Sequence, residues 1–211
     1  PIEKLPALLS DGIKLPKSAV AQDAWGRDVP RIALDNGDLD GWCQAVPDSL
    51  VPVLTATGID RAQVVLTMFK DDGAPLLSDP RQVLAQVVDK LGQKKGFVPR
   101  VAIELEFNLF RRPTDNQTLR DALPAENETG GNLYGLSALD EHAALFKALK
   151  ASFEAQGLPY EGVLKEAAPA QYEINVAYSD DAVGYCDQII RMQRCIRAVA
   201  ERFGALASFM P

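Results

Sequence analysis

The stretch Val101-Ala-Ile-Glu-Leu-Glu-Phe-Asn-Leu-Phe110 places two carboxylates two residues apart in a mostly apolar run. A β-strand turns the side chains at positions i and i+2 to the same face, so Glu104 and Glu106 are predicted to point out of one strand together. Burying one ionised carboxylate is costly, and two neighbouring carboxylates repel each other unless a cation or a shared proton neutralises them. The pair therefore indicates a candidate binding site.

A second segment, Lys165-Glu-Ala-Ala-Pro-Ala-Gln-Tyr-Glu-Ile-Asn-Val176, carries two more carboxylates, Glu166 and Glu173. Their odd separation would put them on opposite faces of a regular strand. Pro169 lies between them, and because a proline cannot take part in a central ladder it can reset which face the later residues use. All four glutamates can therefore converge, and four acids on two predicted strands suggest a cage for hard cations.

Three interpretations of these acids stay open from the residues alone. The first pair could lie on a strand face that is simply in contact with water. A site made of oxygen ligands would suit Mg²⁺ or Mn²⁺ rather than zinc, which prefers histidine and cysteine. Paired acids also catalyse glycoside hydrolysis, which needs two carboxyls about 5 to 10 Å apart across the bond, whereas these two would crowd one side of it.

The residues before these segments predict strands, turns and one well-defined helix. Residues 62–69 are rich in β-branched and apolar side chains and are predicted to form a single strand. A helix is predicted from Asp79, its N-cap, through Pro80 at its first position to a stop at Gly96. Its predicted buried face comprises Val83, Leu84, Val87, Val88 and Leu91.

Two further helices are predicted in the last third of the chain. Ser137 and Asp140 resemble a capping pair for the first helix, which contains His142, the only histidine, interpreted here as structural. After a strand at 172–178, Ser179 is predicted to cap the second helix. The two apolar faces are Leu145, Phe146, Leu149 and Phe153, and Tyr185, Ile189, Ile190, Ile196 and Val199. Helices and strands mix without strict alternation, so the predicted fold class is α+β.

The chain carries a net negative charge and has no overall excess of basic residues. Lys and Arg number 22 against 29 Asp and Glu, a formal net charge of −7, which argues against nucleic acid and anionic membranes as partners. No apolar run approaches the roughly 20 residues of a membrane span and no signal peptide is seen, so a cytoplasmic location is predicted. The sequence contains neither the phosphate-binding motif G-x-x-x-x-G-K-S/T nor the motif G-x-G-x-x-G. A nucleotide would therefore have to be held by metal and scattered polar groups.

Four segments, in this order and at this spacing, resemble the glutamine synthetase family: Asp79-Pro-Arg81, Ile103-Glu-Leu-Glu-Phe107, the segment 165–175 and Ala207-Ser-Phe-Met-Pro211. The resemblance covers nearly the whole chain. It implies that residues 1–72 form part of a small β-grasp domain and that residues 73–211 form the first half of the catalytic domain. The expected architecture is α+β, with both domains truncated.

The resemblance also implies how the four glutamates divide between cations. Glu106, Glu166 and Glu173 would share one Mg²⁺ or Mn²⁺ ion. Glu104 would contribute to a second ion that bridges the phosphates of ATP. Metal ions matter in such a site because they offset the charge of mutually repelling anions and of the phosphoryl group in transfer.

The reaction implied by the resemblance consumes ATP and glutamate. The γ-phosphoryl group of ATP passes to the side-chain carboxylate of glutamate, and an amine or ammonia then attacks the acyl phosphate to give an amide. Glu161 and Tyr178 match family positions near the nucleotide. No further residue is assigned a catalytic role.

Two positions depart from the family's ammonia-using pattern. The usual histidine before the first glutamate of the second segment is Lys165 here, and the usual glycine before the glutamine is Ala170. In this form the segment looks more like that of the γ-glutamylpolyamine (γ-glutamylputrescine) synthetases, whose nucleophile is an amine such as putrescine, so polyamine-type acceptors are favoured over ammonia. The family's ammonium-binding aspartate corresponds either to Asp23 or to Asp28.

The resemblance further predicts that the chain is a fragment. It begins at Pro1 without a methionine and stops at the Phe-Met-Pro motif, after which the family pattern has a histidine, a glutamate and several arginines. We therefore predict that these 211 residues alone are inactive. Family active sites form between subunits, which implies a homo-oligomeric ring, a dodecamer, for the intact protein. The rival interpretation is a non-catalytic homologue that keeps the fold as a structural or binding protein.

Overall fold

The computed structural model describes residues 2–23, 25–30, 37–55, 58–112, 124 and 132–210. The chain falls into two units, the first comprising Pro1–Leu50 and Gln63–Pro99, and the second Val51–Ala62 and Arg100–Pro211. The predicted domains divide the chain at another point, between residues 72 and 73, and that division stays a prediction.

The helices and strands follow one another along the chain, with short 3₁₀ turns at Ile2–Lys4 and Lys17–Val20. In the first hundred residues they are α1 (Leu5–Asp11), β1 (Ile13–Pro16), β2 (Asp40–Ala45), β3 (Val51–Thr55), β4 (Gly58–Gln63), β5 (Leu66–Phe69) and α2 (Pro80–Lys95). After these come β6 (Leu105–Arg111), α3 (Leu136–Glu141), α4 (Ala143–Ala155), β7 (Gly162–Lys165), β8 (Gln171–Asn175), α5 (Ala182–Arg202) and β9 (Ala205–Ser208). No helix in this described part of the chain is both long and apolar enough to span a membrane.

The first unit is built on a three-stranded antiparallel sheet in the order β1-β2-β5. Its small buried core consists of Cys43, Met68 and Leu76. Gly41 lies directly against Met68, where a Cβ atom would be 2.5 Å from the methionine sulfur, so a larger residue at this position would have to displace the Met68 side chain.

Helix α2 begins and ends where the sequence predicts. Asp79 is the N-cap and accepts a hydrogen bond of 2.9 Å from the Arg81 N–H, and Pro80 occupies the first helical position. Gly96 follows the last residue in the left-handed conformation that favours glycine, with a φ of 67°. Both ends of the helix are therefore specified locally.

The predicted buried face of α2 is only partly correct. Val83 and Val87 are exposed, whereas Gln82 is buried. The Gln82 amide donates a hydrogen bond of 2.9 Å to the Thr67 hydroxyl, which in turn donates one of 3.0 Å to the Asp79 carboxylate. This buried polar network draws the Gln82 side of the helix inward, and periodicity alone does not reveal it.

Replacing Asp79 by alanine is expected to lower the free energy of unfolding of the first unit by about 3 kcal/mol. The carboxylate caps the helix and also accepts a hydrogen bond of 2.8 Å from the Met68 N–H. Losing a cap costs about 1 kcal/mol, and each buried donor left unpaired costs about 1–3 kcal/mol more.

Urea unfolding followed by tryptophan fluorescence measures this effect, because both tryptophans, Trp25 and Trp42, lie in the first unit. Asp89→Ala is the matched control, since Asp89 is an exposed aspartate on the same helix. Its change should stay within about 0.5 kcal/mol. Equal losses in the two variants would contradict a structural role for the Asp79 carboxylate.

The second unit contains a four-stranded antiparallel sheet in the order β7-β8-β6-β9, together with a two-stranded sheet formed by β3 and β4. The strand side chains alternate between two faces. One face joins the hydrophobic core, and its members in β6 and β8 are Leu105, Phe107, Leu109, Tyr172 and Ile174. The helices contribute to the same core Leu145, Phe146, Leu149, Phe153, Tyr185, Ile189, Met192, Ile196 and Val199. The predicted apolar faces of α4 and α5 are thus confirmed, except for Ile190, which is exposed.

Both predicted serine caps are wrong. The N-cap of α3 is Gly135, and Ser137 lies within the first turn of that helix. The N-cap of α5 is Asp181, whose carboxylate accepts a hydrogen bond of 3.0 Å from the Gly184 N–H. Ser179 is instead paired with Val101 in an antiparallel bridge, and the extended backbone that this pairing needs delays the start of the helix.

Two predicted strands are shorter than expected. The run 62–69 is broken, because β4 ends at Gln63 and β5 begins at Leu66. Between them, the Val65 carbonyl accepts a hydrogen bond from the Val46 N–H and the Val65 N–H donates one to the Ser49 hydroxyl. The predicted strand at 172–178 ends at Asn175. The break at Val65 is thus set by hydrogen bonds from residues distant in the chain.

Candidate metal centre

Strands β6 and β8 bring three carboxylates together. Antiparallel pairing places Glu106 directly opposite Glu173, and Glu104, one residue before β6, alternates onto the same face as Glu106. One carboxylate oxygen of each residue lies within 4.8 Å of the corresponding oxygens of the other two. The two acids of the first segment thus share a face, and one acid of the second segment joins them.

Glu173 is the buried member of this group, with 7% of its surface exposed, whereas Glu104 and Glu106 are exposed. Burial raises the pKa of the Glu173 carboxyl, and the negative charges of Glu104, Glu166 and Glu106 raise it further. Both effects disfavour the ionised form. A cation at this point would remove the electrostatic penalty.

Gln171 connects the acids to the turn between β7 and β8. Its Nε2 donates a hydrogen bond of 2.7 Å to one oxygen of Glu106, and its Oε1 accepts one of 3.0 Å from the Ala168 N–H. The amide therefore fixes the orientation of a carboxylate in the group. Sequence reasoning assigned Gln171 no role, although its position two residues before Glu173 would have placed it on the same face.

Glu166 lies in this turn, one residue after β7, and is half-buried. Its carboxylate accepts a hydrogen bond of 3.3 Å from the Ala167 N–H. Glu166 does not join the group of three oxygens within 4.8 Å, but its charge is close enough to raise the pKa of Glu173. Whether the four acids divide between two ions as the resemblance implies stays a prediction.

The donor set fits a hard divalent cation. It consists of carboxylate oxygens, which Mg²⁺ and Mn²⁺ prefer, and a neighbouring amide orients one of them. A cleft of about 430 Å³ opens beside the acids, and Asn108, Gln193 and Phe209 line it together with Glu104 and Glu106. There is room for a small ligand next to the carboxylates.

Glu161 and Tyr178, the two residues expected near a nucleotide, lie beyond the end of the β7-β8 pair that is opposite the 166–170 turn. Glu161 is exposed, and its N–H donates a hydrogen bond of 2.9 Å to the carbonyl of Asn175, the last residue of β8. Tyr178 is 61% exposed, and the guanidinium of Arg100 lies 4.6 Å from the centre of its ring. The Arg100 guanidinium thus covers one face of the Tyr178 ring. A nucleotide would have to contact the exposed remainder of the ring surface.

Replacing Asp180 by asparagine is expected to cause a small loss of stability that depends on pH. Arg100 makes a two-point ion pair with Asp180, at 2.7 and 3.0 Å, and holds the pKa of the Asp180 carboxyl below its ordinary value of 3.8. A lowered carboxyl pKa stabilises the fold above the ordinary pKa, and this contribution is lost as the pH falls through the lowered value. The effect is small because both side chains are more than half exposed.

The measurement compares urea unfolding of the wild type and Asp180→Asn by circular dichroism, at about pH 7 and about pH 3. The wild type should be the more stable at the higher pH, and the difference between the two should be smaller at the lower one. A stability difference that does not change with pH would show that the ion pair is not its source.

The two aspartates considered for the amine site lie in the first unit. The Asp23 carboxylate accepts hydrogen bonds from the N–H groups of Trp25 (2.8 Å) and Arg27 (3.0 Å) and pairs with the Arg27 guanidinium, which lowers its pKa. Among the described residues, Asp28 accepts one hydrogen bond, of 3.4 Å, from Gln22. Asp23 therefore shapes its own loop, whereas the Asp28 carboxylate is held more loosely.

His142 lies between α3 and α4, not in the first turn of one helix as predicted. Its ring makes edge contacts with Phe146 and Tyr172, at centroid distances of 6.3 and 5.7 Å. Its Nε2 is buried and has no hydrogen-bond partner among the described residues. These contacts support the structural interpretation of His142.

Comparison with known proteins places this geometry in context. The family model described as the glutamine synthetase catalytic domain matches residues 77–211. γ-Glutamylputrescine synthetase PuuA of Escherichia coli is 32% identical over 208 residues, which cover 96% of this chain and 44% of that protein. Glutamine synthetase of Pyrococcus abyssi is 30% identical over 212 aligned positions, covering 100% of this chain and 43% of the relative. Glutamate–isopropylamine ligase of a Pseudomonas species is 27% identical over 195 residues, 88% of this chain and 42% of the relative.

Solved structures show the same fold. The ADP complex of GmaS matches 100% of this chain and 44% of its own length, with a TM-score of 0.78 and 22% identity. A novel glutamine synthase homolog matches 98% of this chain and 46% of its own length, with a TM-score of 0.72 and 18% identity. The predicted α+β architecture is confirmed. The chain spans less than half the length of each of these proteins.

Proposed function

Because this chain belongs to the glutamine synthetase family, as its four sequence segments indicate, we propose that it forms part of an ATP-dependent ligase that joins the γ-carboxylate of glutamate to an amine. The observation that carries the proposal is the pairing of Glu106 with Glu173 beside Glu104, an all-oxygen site next to an open cleft. Glu166, which belongs to the same sequence segment as Glu173, lies nearby.

The four glutamates would hold Mg²⁺ or Mn²⁺. A divalent cation bound there offsets the repulsion between the ATP phosphates and the glutamate carboxylate. Gln171 keeps the Glu106 carboxylate oriented through its hydrogen bond of 2.7 Å. Glu161 and Tyr178 are proposed to contact the nucleotide, Tyr178 through its exposed ring and Glu161 through its exposed carboxylate.

The proposed reaction has two steps. In the first, a carboxylate oxygen of glutamate bonds to the γ-phosphorus of ATP while the bond from that phosphorus to the β-γ bridging oxygen breaks, which releases ADP and gives γ-glutamyl phosphate. In the second, the amine nitrogen bonds to the acyl carbon, the carbon–oxygen bond to phosphate breaks, and the nitrogen loses a proton. The acids would act in the first step by holding the cation that offsets the repulsion between the two reacting anions.

The acceptor is proposed to be an amine rather than ammonia. Lys165 and Ala170 replace residues typical of the ammonia-using pattern. Two relatives are named for amine substrates, γ-glutamylputrescine synthetase and glutamate–isopropylamine ligase. We further propose that the complete protein assembles into a ring of subunits, a dodecamer.

The test measures ADP release by the complete gene product with glutamate, ATP and Mg²⁺, and with ammonia, isopropylamine or putrescine as acceptor. An amine should support a kcat/KM at least about tenfold above that of ammonia, the lower end of the discrimination that one methylene group provides in an apolar pocket. Ammonia as the best acceptor would contradict the amine assignment. No ADP release with any acceptor, with cation binding intact, would favour the non-catalytic homologue.

A further inference from the structure

Lys165, the last residue of β7, has no exposed surface. A buried lysine is unfavourable unless its donors are paired. Its Nζ donates hydrogen bonds of 2.7 Å to the carbonyls of Glu166 and of Ala168, and it lies 5.8 Å from the centre of the Tyr172 ring. The reaction proposed above gives this side chain no task.

Lys165 does not lie among the acids. In the β7-β8 pair it is opposite Tyr172, which belongs to the hydrophobic core, whereas its neighbour Leu164 is opposite Glu173. Adjacent strand residues point to opposite faces, so Lys165 projects to the core side of the sheet and Glu173 to the other. Its hydrogen bonds to two backbone carbonyls connect Lys165 to the 166–170 turn from the core side of the sheet.

A continuous path of hydrogen bonds leads from Lys165 to the acidic face. The Ala168 carbonyl, which accepts from Lys165, also accepts a hydrogen bond of 3.1 Å from the Gln171 N–H. The Ala168 N–H donates to the Gln171 side-chain oxygen at 3.0 Å, and the Gln171 side-chain nitrogen donates to Glu106 at 2.7 Å. Ala168 thus contacts both the backbone N–H and the side-chain oxygen of Gln171, whose side-chain nitrogen is left to bind Glu106.

The turn that Lys165 holds contains an unfavourable backbone conformation. Ala170 has a φ of 52°, in the left-handed region that favours glycine, and its carbonyl accepts a hydrogen bond of 2.8 Å from the Leu109 N–H. A turn that strains one of its residues needs contacts elsewhere to keep it in place. The two hydrogen bonds from Lys165 provide such contacts at the other side of the turn.

We propose that Lys165 is a positioning residue for the cation site: it clamps the 166–170 turn from the core side and thereby orients Gln171 and the Glu106 carboxylate. The inference rests on the proposed function, because it assigns the clamp to the same cation site. It predicts that neutral variants of Lys165 weaken cation binding although the side chain does not face the acids.

The test measures Mn²⁺ affinity by calorimetry for the wild type, Lys165→Met, Gln171→Leu and the double variant. Each single change should weaken binding by about 10-fold, the lower end of the effect of losing a residue that orients a metal ligand. The double variant should bind no more weakly than Gln171→Leu alone, because Lys165 acts through Gln171. Ile196→Val, a conservative change in a core residue 1% exposed, is the control for general loss of stability and should bind as the wild type does.

Two outcomes would overturn the inference. One is wild-type affinity in Lys165→Met. The other is a double variant whose loss is the product of the two single losses, which would indicate that Lys165 only stabilises the fold. Lys165→Gln, a milder change that keeps a polar donor, replaces Lys165→Met if the latter does not fold, and should show a smaller loss in the same direction.

A readout without metal separates this inference from the proposed function. In the metal-free wild type the Gln171 side-chain amide should exchange its hydrogens slowly in NMR spectra, and in Lys165→Met about 10-fold faster. If the wild type binds no Mn²⁺, the proposed function fails. Faster exchange in Lys165→Met would still show that Lys165 controls Gln171, and unchanged exchange would show that it does not. Ala170→Gly should restore part of the slow exchange in the Lys165→Met background, because glycine relieves the left-handed conformation, and no restoration would contradict the clamp.

Discussion

Replacing Glu106 by glutamine is expected to weaken Mn²⁺ binding by more than about 100-fold, since losing a residue that merely orients a ligand already costs about 10- to 100-fold. The variant removes one carboxylate from a group whose oxygens lie within 4.8 Å of one another. The fold should survive, because Glu106 is exposed and its loss relieves repulsion with Glu104 and Glu173. Calorimetric titration with Mn²⁺ and urea unfolding of the metal-free chain measure the two effects.

The matched control is Glu154→Gln, an exposed glutamate on helix α4 whose only described ion pair is a long one of 3.8 Å with Lys150. It removes the same charge from the same unit and should leave Mn²⁺ affinity unchanged. If Glu106→Gln binds Mn²⁺ as tightly as this control, the acids are not the cation ligands. The alternative interpretation, a polar strand face that is simply in contact with water, would then be favoured.

Replacing Phe107 by alanine is expected to lower the free energy of unfolding of the second unit by about 4 kcal/mol, within the range for a buried phenylalanine. Phe107 follows Glu106 in β6 and faces the core on the other side of the sheet, with 1% of its surface exposed. Its ring contacts Tyr172 and Phe209 at centroid distances of 6.1 and 6.0 Å. The cavity left by truncation would be enclosed by β6, β8 and their helices, which cannot all move inward.

Far-UV circular dichroism in urea measures this loss for the second unit, which contains neither tryptophan. Phe203→Ala serves as the control, because Phe203 is 46% exposed at the end of α5. Its cost should stay below about 1.5 kcal/mol, since little of its area is removed from water. Similar costs for the two variants would mean that β6 does not pack against the core as described.

The part of the site that sequence reasoning predicted is the part that depends on strand alternation. Glu104 and Glu106 share a face because Leu105 and Phe107 occupy the other one, and this pattern is local. The ends of helix α2 were equally local, since Asp79 and Gly96 determine them through their own backbone neighbours. Such features can be read from a short window of residues.

The features that were missed depend on residues far apart in the chain. Ser179 does not cap α5, because the bridge to Val101 holds it in an extended conformation, and nothing near Ser179 in the sequence reveals Val101 as its partner. The burial of Lys165 and the contact from Gln171 to Glu106 depend on how the 166–170 turn folds back. Periodicity describes which way a side chain points, but not which donors and acceptors a turn brings within reach.

Anomalous X-ray scattering from crystals soaked in Mn²⁺ would locate a cation bound to this face of the sheet. We expect an anomalous peak about 2.0–2.3 Å from carboxylate oxygens of both Glu106 and Glu173, the range for an oxygen-bound cation of this size. The peak should disappear in crystals of Glu106→Gln. A peak at other residues, or none near these two carboxylates at saturating Mn²⁺, would contradict the assignment of a cation site to this face of the sheet.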